Sequence, residues 1–264
     1  MTDPIRTCTV VAPPDPVACL RCAVTERPDN HAHGSTALNF TAPVAKHAAA
    51  LTSRLWKPGR TLRVRMIGGK RKSRAIAGDA LSEWMEYTSI RFVPVRDNGG
   101  AAEIRIAFDP TLGSWSMLGT DALLIPEPQP TMNLGWDDMG TALHEVGHML
   151  GLIHEHQNPD ANIPWDEEAV YRFYAGPPNN WPRATTKANV LDVYNQRLIT
   201  NGGFDPASIM LYPVPAALLR PEGRSRATGF NRVLSPGDKA LGQRLYPPLG
   251  IKDHLDKLLS GPKG

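Results

Sequence analysis

One stretch, HEVGHMLGLIHEH at residues 144–156, constrains this chain more than any other. Two histidines four residues apart on a helix leave the same face about one turn apart, so His144 and His148 can hold one metal ion. Glu145 lies beside the first histidine, where its carboxylate can reach a water at the metal without filling a coordination position. The pattern therefore predicts two metal ligands and a general base on one helix.

The spacing after the second histidine predicts a third ligand. Gly151 follows three residues later, and a glycine that takes a positive φ can end the helix and turn the chain back. His154 comes after another three residues and would then face the same ion. Three nitrogen ligands leave one position for water, which separates a catalytic zinc site from a closed structural one. We therefore expect one catalytic Zn²⁺.

The same stretch has the pattern of a packed helix. Apolar side chains recur at intervals of three and four residues, at Met139, Ala142, Leu143, Val146, Met149 and Leu150. This stripe is separate from the one that carries the histidines, so one face can pack while the other binds metal. Asp137 or Asp138 is available to cap the N-terminus of the helix.

The zinc-binding stretch resembles that of the metzincin metallopeptidases, and a second segment narrows the resemblance. Residues 205–212 read DPASIMLY and resemble the Met-turn of that group, with Met210 as the methionine under the metal. The likeness is closest to the astacin family, whose Met-turn reads SxMxY, and Tyr212 matches its tyrosine. The resemblance implies that Tyr212 ligates the resting zinc and swings away to stabilise the oxyanion during catalysis.

Other residues agree with the astacin pattern or depart from it. Glu155 follows the third histidine, as in astacins, and Asp160 stands where their HExxRxD has an aspartate. Asn158 replaces the arginine of that pattern, and Leu152 stands where phenylalanine is usual. The cysteines of the astacin catalytic domain are also absent. The resemblance is therefore to an astacin-like branch, in which Glu155 would lie near a new N-terminal amine formed by processing.

Hydrophobic periodicity predicts the order of secondary structure before and after this site. Strand-like alternation and helical spacing place strands at 61–66, 90–95 and 103–108 and a helix at 74–87. Further helices are expected at residues 166–174, 189–198 and 235–246. This order predicts an α+β, zincin-like chain with the metzincin fold, in which helices back a twisted mixed sheet and the metal lies at its open edge.

The resemblance also implies a division of the chain. Residues 54–250 would form the catalytic domain, with an upper part to about residue 151 and a smaller lower part after the third histidine. Residues 1–53, rich in proline and small side chains, are expected to be an N-terminal extension or pro-like segment. Residues 251–264 are expected to be a C-terminal tail.

Residues 131–135 resemble the strand that lines the upper rim of a metzincin cleft. An edge strand in that place would pair with an extended substrate through main-chain hydrogen bonds. Met132, Asn133 and Leu134 are therefore expected substrate contacts. Trp115 is a further candidate, although a place in the core or the cleft wall is the favoured interpretation for it.

All three cysteines lie in the first 22 residues. Cys19 and Cys22 form a CxxC pair, and His31 and His33 could complete a structural zinc site with it. Alternatively, a thiolate from this segment, which also contains Cys8, caps the catalytic zinc and keeps the enzyme latent, as some metzincin propeptides do. The simplest interpretation is that these are ordinary thiols or a local disulfide.

Charge and hydropathy restrict the possible partners. The 29 basic and 26 acidic residues give a net charge of +3, which does not indicate a nucleic-acid partner. The basic run at residues 70–74 is expected to be a solvated surface, with a substrate or polyanion contact as the alternative. No stretch approaches the ~20 apolar residues of a membrane span. We expect a monomer that acts on a protein or peptide.

The N-terminus lacks the basic and apolar regions of a secretion signal. Metzincins are usually exported, so the resemblance implies secretion, whereas a cytoplasmic protein or a delivered effector would need no such signal; composition leaves these alternatives open. The function expected from the residues and the resemblance is a zinc-dependent endopeptidase, a hydrolase of peptide bonds. Three alternatives remain: a catalytically silent zinc-binding or recognition module, an effector that cleaves one host protein, and a latent zymogen held off by its N-terminal segment.

Overall fold

A computed structural model describes residues 8–11, 15–30, 53–96, 99–177, 179–194 and 203–250. His31, His33 and the expected tail at residues 251–264 lie outside the described residues. No helix in the described ranges is both long and apolar enough to cross a membrane.

Six strands of the described residues form one sheet, and its mixed character confirms the prediction from the sequence. They are β1 (Thr9–Val10), β2 (Thr61–Ile67), β3 (Arg91–Pro94), β4 (Ile104–Ala107), β5 (Trp115–Ser116) and β6 (Met132–Asn133). Their order across the sheet is β1-β5-β6-β4-β2-β3. β2, β3, β4 and β6 are parallel to one another, whereas β5 is antiparallel to β6 and β1 is parallel to β5.

Six helices complete the described fold. They are α1 (Pro16–Glu26), α2 (Arg71–Tyr87), α3 (Met139–Met149), α4 (Glu167–Ala175), α5 (Arg183–Thr186) and α6 (Pro236–Leu245). The main core lies between the sheet and helices α2 and α3. Two buried tryptophans fix α3 there, because the indole nitrogens of Trp84 and Trp56 donate to the carbonyls of Leu143 and Met149 at 2.9 and 2.8 Å. The metal-binding helix thus rests on the sheet along its apolar stripe.

The prediction that residues 131–135 form an edge strand of the sheet is wrong. β6 lies between β4 and β5, so Met132 and Asn133 are in the interior of the sheet and fully buried, and Leu134 is buried beside them. The strands beyond β6 on this side of the sheet are β5, whose half-buried Trp115 pairs with Thr9, and then β1 at the edge. A strand of two residues is too short to show an alternating pattern in the sequence, which explains the misplacement.

The prediction of a helix at residues 189–198 is also wrong over its first residues. After α5 the chain makes a wider π-type turn over Lys187–Leu191, and residues 192–194 are not helical. The other two expected helices are confirmed as α4 and α6, with Asp166 and Ser235 as their N-caps. In α6 the cap is reciprocal, since the Ser235 hydroxyl and the Asp238 carboxylate each accept from the other residue's backbone.

The N-terminal segment is attached to the domain at two places. β1 adds to the sheet beside β5, and α1 packs against the 3₁₀ segment Gly119–Leu124. Around α1, the Asn30 side chain donates to the carbonyl of Leu55 at 2.9 Å, and Arg60 lies 3.3 Å from the Glu26 carboxylate. The segment therefore reaches the cleft at one end and is anchored away from it at the other.

Candidate metal centre

The geometry of α3 brings two histidines to one face. Asp138, one of the two expected caps, accepts a hydrogen bond from the backbone N–H of Thr141 at 2.9 Å. From this start the helix runs to Met149, and His144 and His148 are buried one turn apart on it. Their rings meet edge to face, with centroids 4.7 Å apart. The four-residue spacing therefore brings both imidazoles to one face of a helix that Asp138 caps.

Gly151 makes the turn that the sequence predicts. Its φ of +93° is strained for any residue with a Cβ, and a Cβ here would lie 3.0 Å from the Leu55 side chain. The chain then returns, so that His154 is fully buried and its Nε2 lies 3.1 Å from that of His148. The three histidines expected as ligands are thus brought together.

The histidine tautomers show that this cluster is built for a cation. Nδ1 of His144 and Nδ1 of His148 each donate to a backbone carbonyl at 2.8 Å, so their Nε2 atoms carry lone pairs. Burial keeps these rings neutral: it lowers the pKa of His144 to about 4 and holds that of His148 well below its ordinary value. Lone pairs aimed at one another in a buried space repel unless a positive ion lies between them.

A fourth ligand atom comes from the N-terminal segment. The Sγ of Cys8 lies 3.1, 3.5 and 3.2 Å from the Nε2 atoms of His144, His148 and His154. Zn–N distances of about 2.0–2.1 Å and a Zn–S distance of about 2.3 Å place the ligand atoms of a tetrahedral site roughly 3.3–3.6 Å apart. The observed donor set therefore fits one zinc ion held by three nitrogens and one sulfur.

The protonation of Cys8 depends on that ion. Burial, and after it the carboxylate of Glu145, raise the pKa of the Cys8 thiol well above its ordinary value. A bound Zn²⁺ acts in the opposite direction, because a coordinated thiol is deprotonated. Cys19 and Cys22 are free thiols on α1, so neither the local disulfide nor a disulfide to Cys8 is present.

Met210 lies directly beneath α3, as the Met-turn resemblance implies. A Cβ on Gly147 would come within 2.4 Å of the Met210 sulfur, so only glycine at this position lets the turn approach the helix. Asp238 at the start of α6 supports the same turn. Its carboxylate accepts from the hydroxyl of Ser208 and the backbone N–H of Ile209, both at 2.7 Å. Sequence reasoning missed Asp238, although the capping pattern Ser235-x-x-Asp238 marked it.

Tyr212 reaches the centre from the same turn. Its hydroxyl donates a short hydrogen bond to the backbone carbonyl of Cys8 and lies 3.5 Å from the Cys8 sulfur. Its ring packs 4.2 Å from that of His154 and 4.5 Å from that of His156, centroid to centroid. Burial raises the pKa of Tyr212 well above its ordinary value, so the phenol stays protonated and can act as a hydrogen-bond donor.

Glu145 is fully buried beside the cluster, and within the described part of the chain neither carboxylate oxygen has a hydrogen-bond partner. Burial raises its pKa well above the ordinary value, and the adjacent Cys8 thiol opposes this in part. A buried carboxylate without partners is costly for a fold, so such a group indicates a functional constraint.

Glu155 has two hydrogen-bond partners that were not predicted from the sequence. Its carboxylate accepts from the Asn158 side chain and the backbone N–H of Asp205, both at 2.9 Å. Asn158, which stands in place of the arginine of the astacin pattern, therefore keeps a polar contact to this carboxylate without supplying a charge. Burial raises the pKa of Glu155 to about 7.

These features define a zinc metallopeptidase site of the metzincin type. One helix carries two histidines and a glutamate, a third histidine follows a glycine turn, and a methionine turn lies beneath them.

Comparison with known proteins agrees with this assignment. The sequence profile of the family Astacin (Peptidase family M12A) matches residues 50–168. Tolloid-like protein 2 of Mus musculus is 32% identical over 142 residues, which are 52% of this chain and 13% of that protein. Astacin-like metalloprotease toxin 4 of Loxosceles laeta is 35% identical over 94 residues, 32% of this chain and 67% of that protein.

The fold agrees as well. The structure of myroilysin is 37% identical, with a TM-score of 0.71, and the match covers 76% of this chain and 99% of that chain. This chain belongs to the astacin family of zinc metallopeptidases. It spans only a small part of the length of the tolloid-like relatives that it matches.

Proposed function

We propose that this chain is a zinc endopeptidase that its own N-terminal segment holds in a latent form. The observation that carries the proposal is the Cys8 thiol, which lies among the three histidine nitrogens where water would otherwise bind. Glu145 and Tyr212 flank the same point, and both residues have the chemistry that peptide hydrolysis needs. A silent zinc-binding module would have no use for a buried, unpartnered carboxylate there.

In the active form, His144, His148 and His154 would hold the zinc ion, which supplies a Lewis acid and lowers the pKa of water near it. Glu145 takes a proton from the attacking water and passes it to the departing amine. Tyr212 donates a hydrogen bond to the oxygen that becomes negatively charged, a contact that helps chiefly in the transition state. Met210 packs beneath the site and takes no part in the chemistry.

In the latent form, the N-terminal segment occupies three features that a substrate would need: the open metal position, the hydroxyl of Tyr212 and the backbone of β5. Cys8 takes the open metal position, and its backbone carbonyl takes the hydrogen bond from Tyr212. β1 takes the edge strand by pairing with β5. Because β1 runs parallel to β5, it occupies the cleft without presenting a peptide bond in the antiparallel direction favoured for strand addition.

An assay with a casein or quenched-fluorescence peptide substrate tests the endopeptidase proposal. The zinc-loaded chain should become active once residues 1–30 are removed by limited proteolysis within residues 31–52. A chelator should abolish this activity, and added zinc should restore it, because no residue of the site replaces the Lewis acid. Zinc bound at one ion per chain without hydrolysis of any peptide would favour the silent zinc-binding module.

Replacement of Tyr212 with phenylalanine should slow the processed enzyme by roughly 10–10³-fold, as expected for the loss of one oxyanion donor. The effect should fall on kcat, since the hydrogen bond forms fully only in the transition state. Zinc content, measured by atomic absorption, should stay near one per chain. An unchanged kcat would restrict Tyr212 to packing and to its contact with Cys8.

A further inference from the structure

A small pocket opens beside the metal centre, next to His144. Its walls are formed mainly by Trp136, Thr141, Ile209, Leu211, Pro213 and Phe230. Glu145, Tyr212 and Cys8 also line it, so it begins at the reacting atoms and widens when the N-terminal segment leaves. Of the three zinc histidines only His144 belongs to this lining.

The position of Glu145 decides which half of a substrate enters this pocket. The general base passes its proton to the departing amine, so the residue that begins with that amine must lie over the Glu145 carboxylate. His148 and His154 are not among the described residues that line the pocket, whereas Glu145 is. The pocket therefore faces the side chain that follows the scissile bond.

The walls of the pocket suit an uncharged side chain. They include two aromatic rings, a proline and two aliphatic residues, and the described lining residues carry no positive charge. Asn231 and Thr141 are polar, but their side chains already bond to the Ser208 carbonyl at 2.7 Å and to Asp138 at 3.1 Å. A carboxylate placed here would lose water without gaining a partner.

One basic residue lies close by, but it is already paired. The guanidinium of Arg232 lies 2.6 Å from the carboxylate of Asp138, which caps α3. It also lies 5.6 Å from the ring centroid of Phe230 and is not among the described residues that line the pocket. Phe230 does line the pocket and is 41% exposed to solvent, so it is the lining residue whose ring lies next to this charge.

We propose that this pocket selects an apolar residue immediately after the scissile bond, and that Phe230 is the wall that excludes an acidic one. The proposal rests on the endopeptidase function proposed above, since it assigns the substrate class of the same site. It predicts that a single exposed side chain, distant in sequence from the zinc ligands, changes the cleavage preference without changing the chemistry.

The test is cleavage of a mixed peptide library by the zinc-loaded enzyme from which residues 1–30 have been removed. The products should carry Leu, Ile, Val, Met or Phe at their new N-terminus, favoured by about tenfold or more over Asp and Glu. Phe230→Arg should increase kcat/KM for a peptide with Asp after the cut relative to its Leu analogue by about tenfold. Phe230→Ala should instead favour larger apolar residues. The matched control is Val233→Ala, three residues further on and 69% exposed, which should leave the profile unchanged.

The outcomes separate this proposal from the proposed function. Hydrolysis with an acidic preference, or with no preference at this position, would overturn the pocket assignment and leave the endopeptidase intact. An unchanged profile in both Phe230 variants, with their zinc content and thermal unfolding also unchanged, would exclude Phe230 as the selecting wall. If the processed, zinc-loaded chain cuts no peptide of the library, the endopeptidase proposal fails and the pocket proposal fails with it.

Discussion

Replacement of Glu145 with alanine is expected to reduce peptide hydrolysis by roughly 10²–10⁴-fold, the usual contribution of a general base. Zinc binding should survive, because the three histidine nitrogens do not contact this carboxylate, and neither do the backbone hydrogen bonds that orient His144 and His148. The measurement is kcat/KM of the processed enzyme, together with zinc content per chain. A loss of turnover at full zinc occupancy would assign the defect to proton transfer.

Two further variants distinguish the loss of the general base from misfolding. Glu145→Gln keeps the size of the side chain and removes its basicity, so it should be as inactive as the alanine variant. Glu168→Ala removes an exposed glutamate that pairs with Arg183 at 2.7 Å on the surface, and it should retain full activity. Substantial turnover in Glu145→Gln would mean that another group accepts the proton.

The parts of the site that follow from helix geometry could be predicted from the sequence. The phase of His144 and His148 depends only on a 3.6-residue period, and Gly151 marks a turn because few other residues tolerate its φ of +93°. The mixed sheet could also be predicted from the sequence, because β2, α2 and β4 have clear local periodicity. Local physics decides these elements, so local patterns reveal them.

The parts that depend on long-range pairing could not be predicted. β5 has two residues, and its place in the sheet is defined by β6 on one side and by the edge strand β1 on the other, which comes from more than a hundred residues earlier in the chain. No local pattern distinguishes such a strand from a loop. Cys8 is an intermediate case: the sequence offered a thiolate cap on the zinc as one alternative, but a single thiol gives no spacing that favours it, and only the fold brings Cys8 to His154.

The edge-strand error also has a functional consequence. With Met132 and Asn133 inside the sheet, a substrate that adds to the sheet as proposed would pair with the backbone of Trp115 and Ser116. β1 pairs with that backbone in the structure, so the strand that sequence reasoning missed is also the strand that the proposed latency uses. β5 and the proposed inhibitory strand β1 are thus parts of one sheet.

Replacement of Cys8 with alanine should make the full-length chain hydrolyse peptides faster by roughly 10²–10⁴-fold. The N-terminal segment is held by the docking of α1, by the pairing of β1 and by the thiol at the metal centre, and attachments on one chain multiply their effects. Removal of the thiol leaves α1 docked, but only the two-residue pairing of β1 and the backbone contact to Tyr212 then compete with substrate at the metal centre. The measurement is hydrolysis of a quenched peptide by the unprocessed, zinc-loaded chain.

Cys22→Ala is the matched control, because it removes a half-buried thiol from the same segment, on α1, and leaves Cys8 in place. That variant should stay latent. Thiol accessibility gives a second measurement independent of turnover: in the unsubstituted chain, Cys8 should react with a thiol reagent slowly while zinc is bound and rapidly after chelation. If Cys8→Ala is as inactive as the unsubstituted chain and yet becomes fully active after residues 1–30 are removed, latency would depend on β1 and α1 covering the cleft, and the thiol would be only a neighbour of the metal.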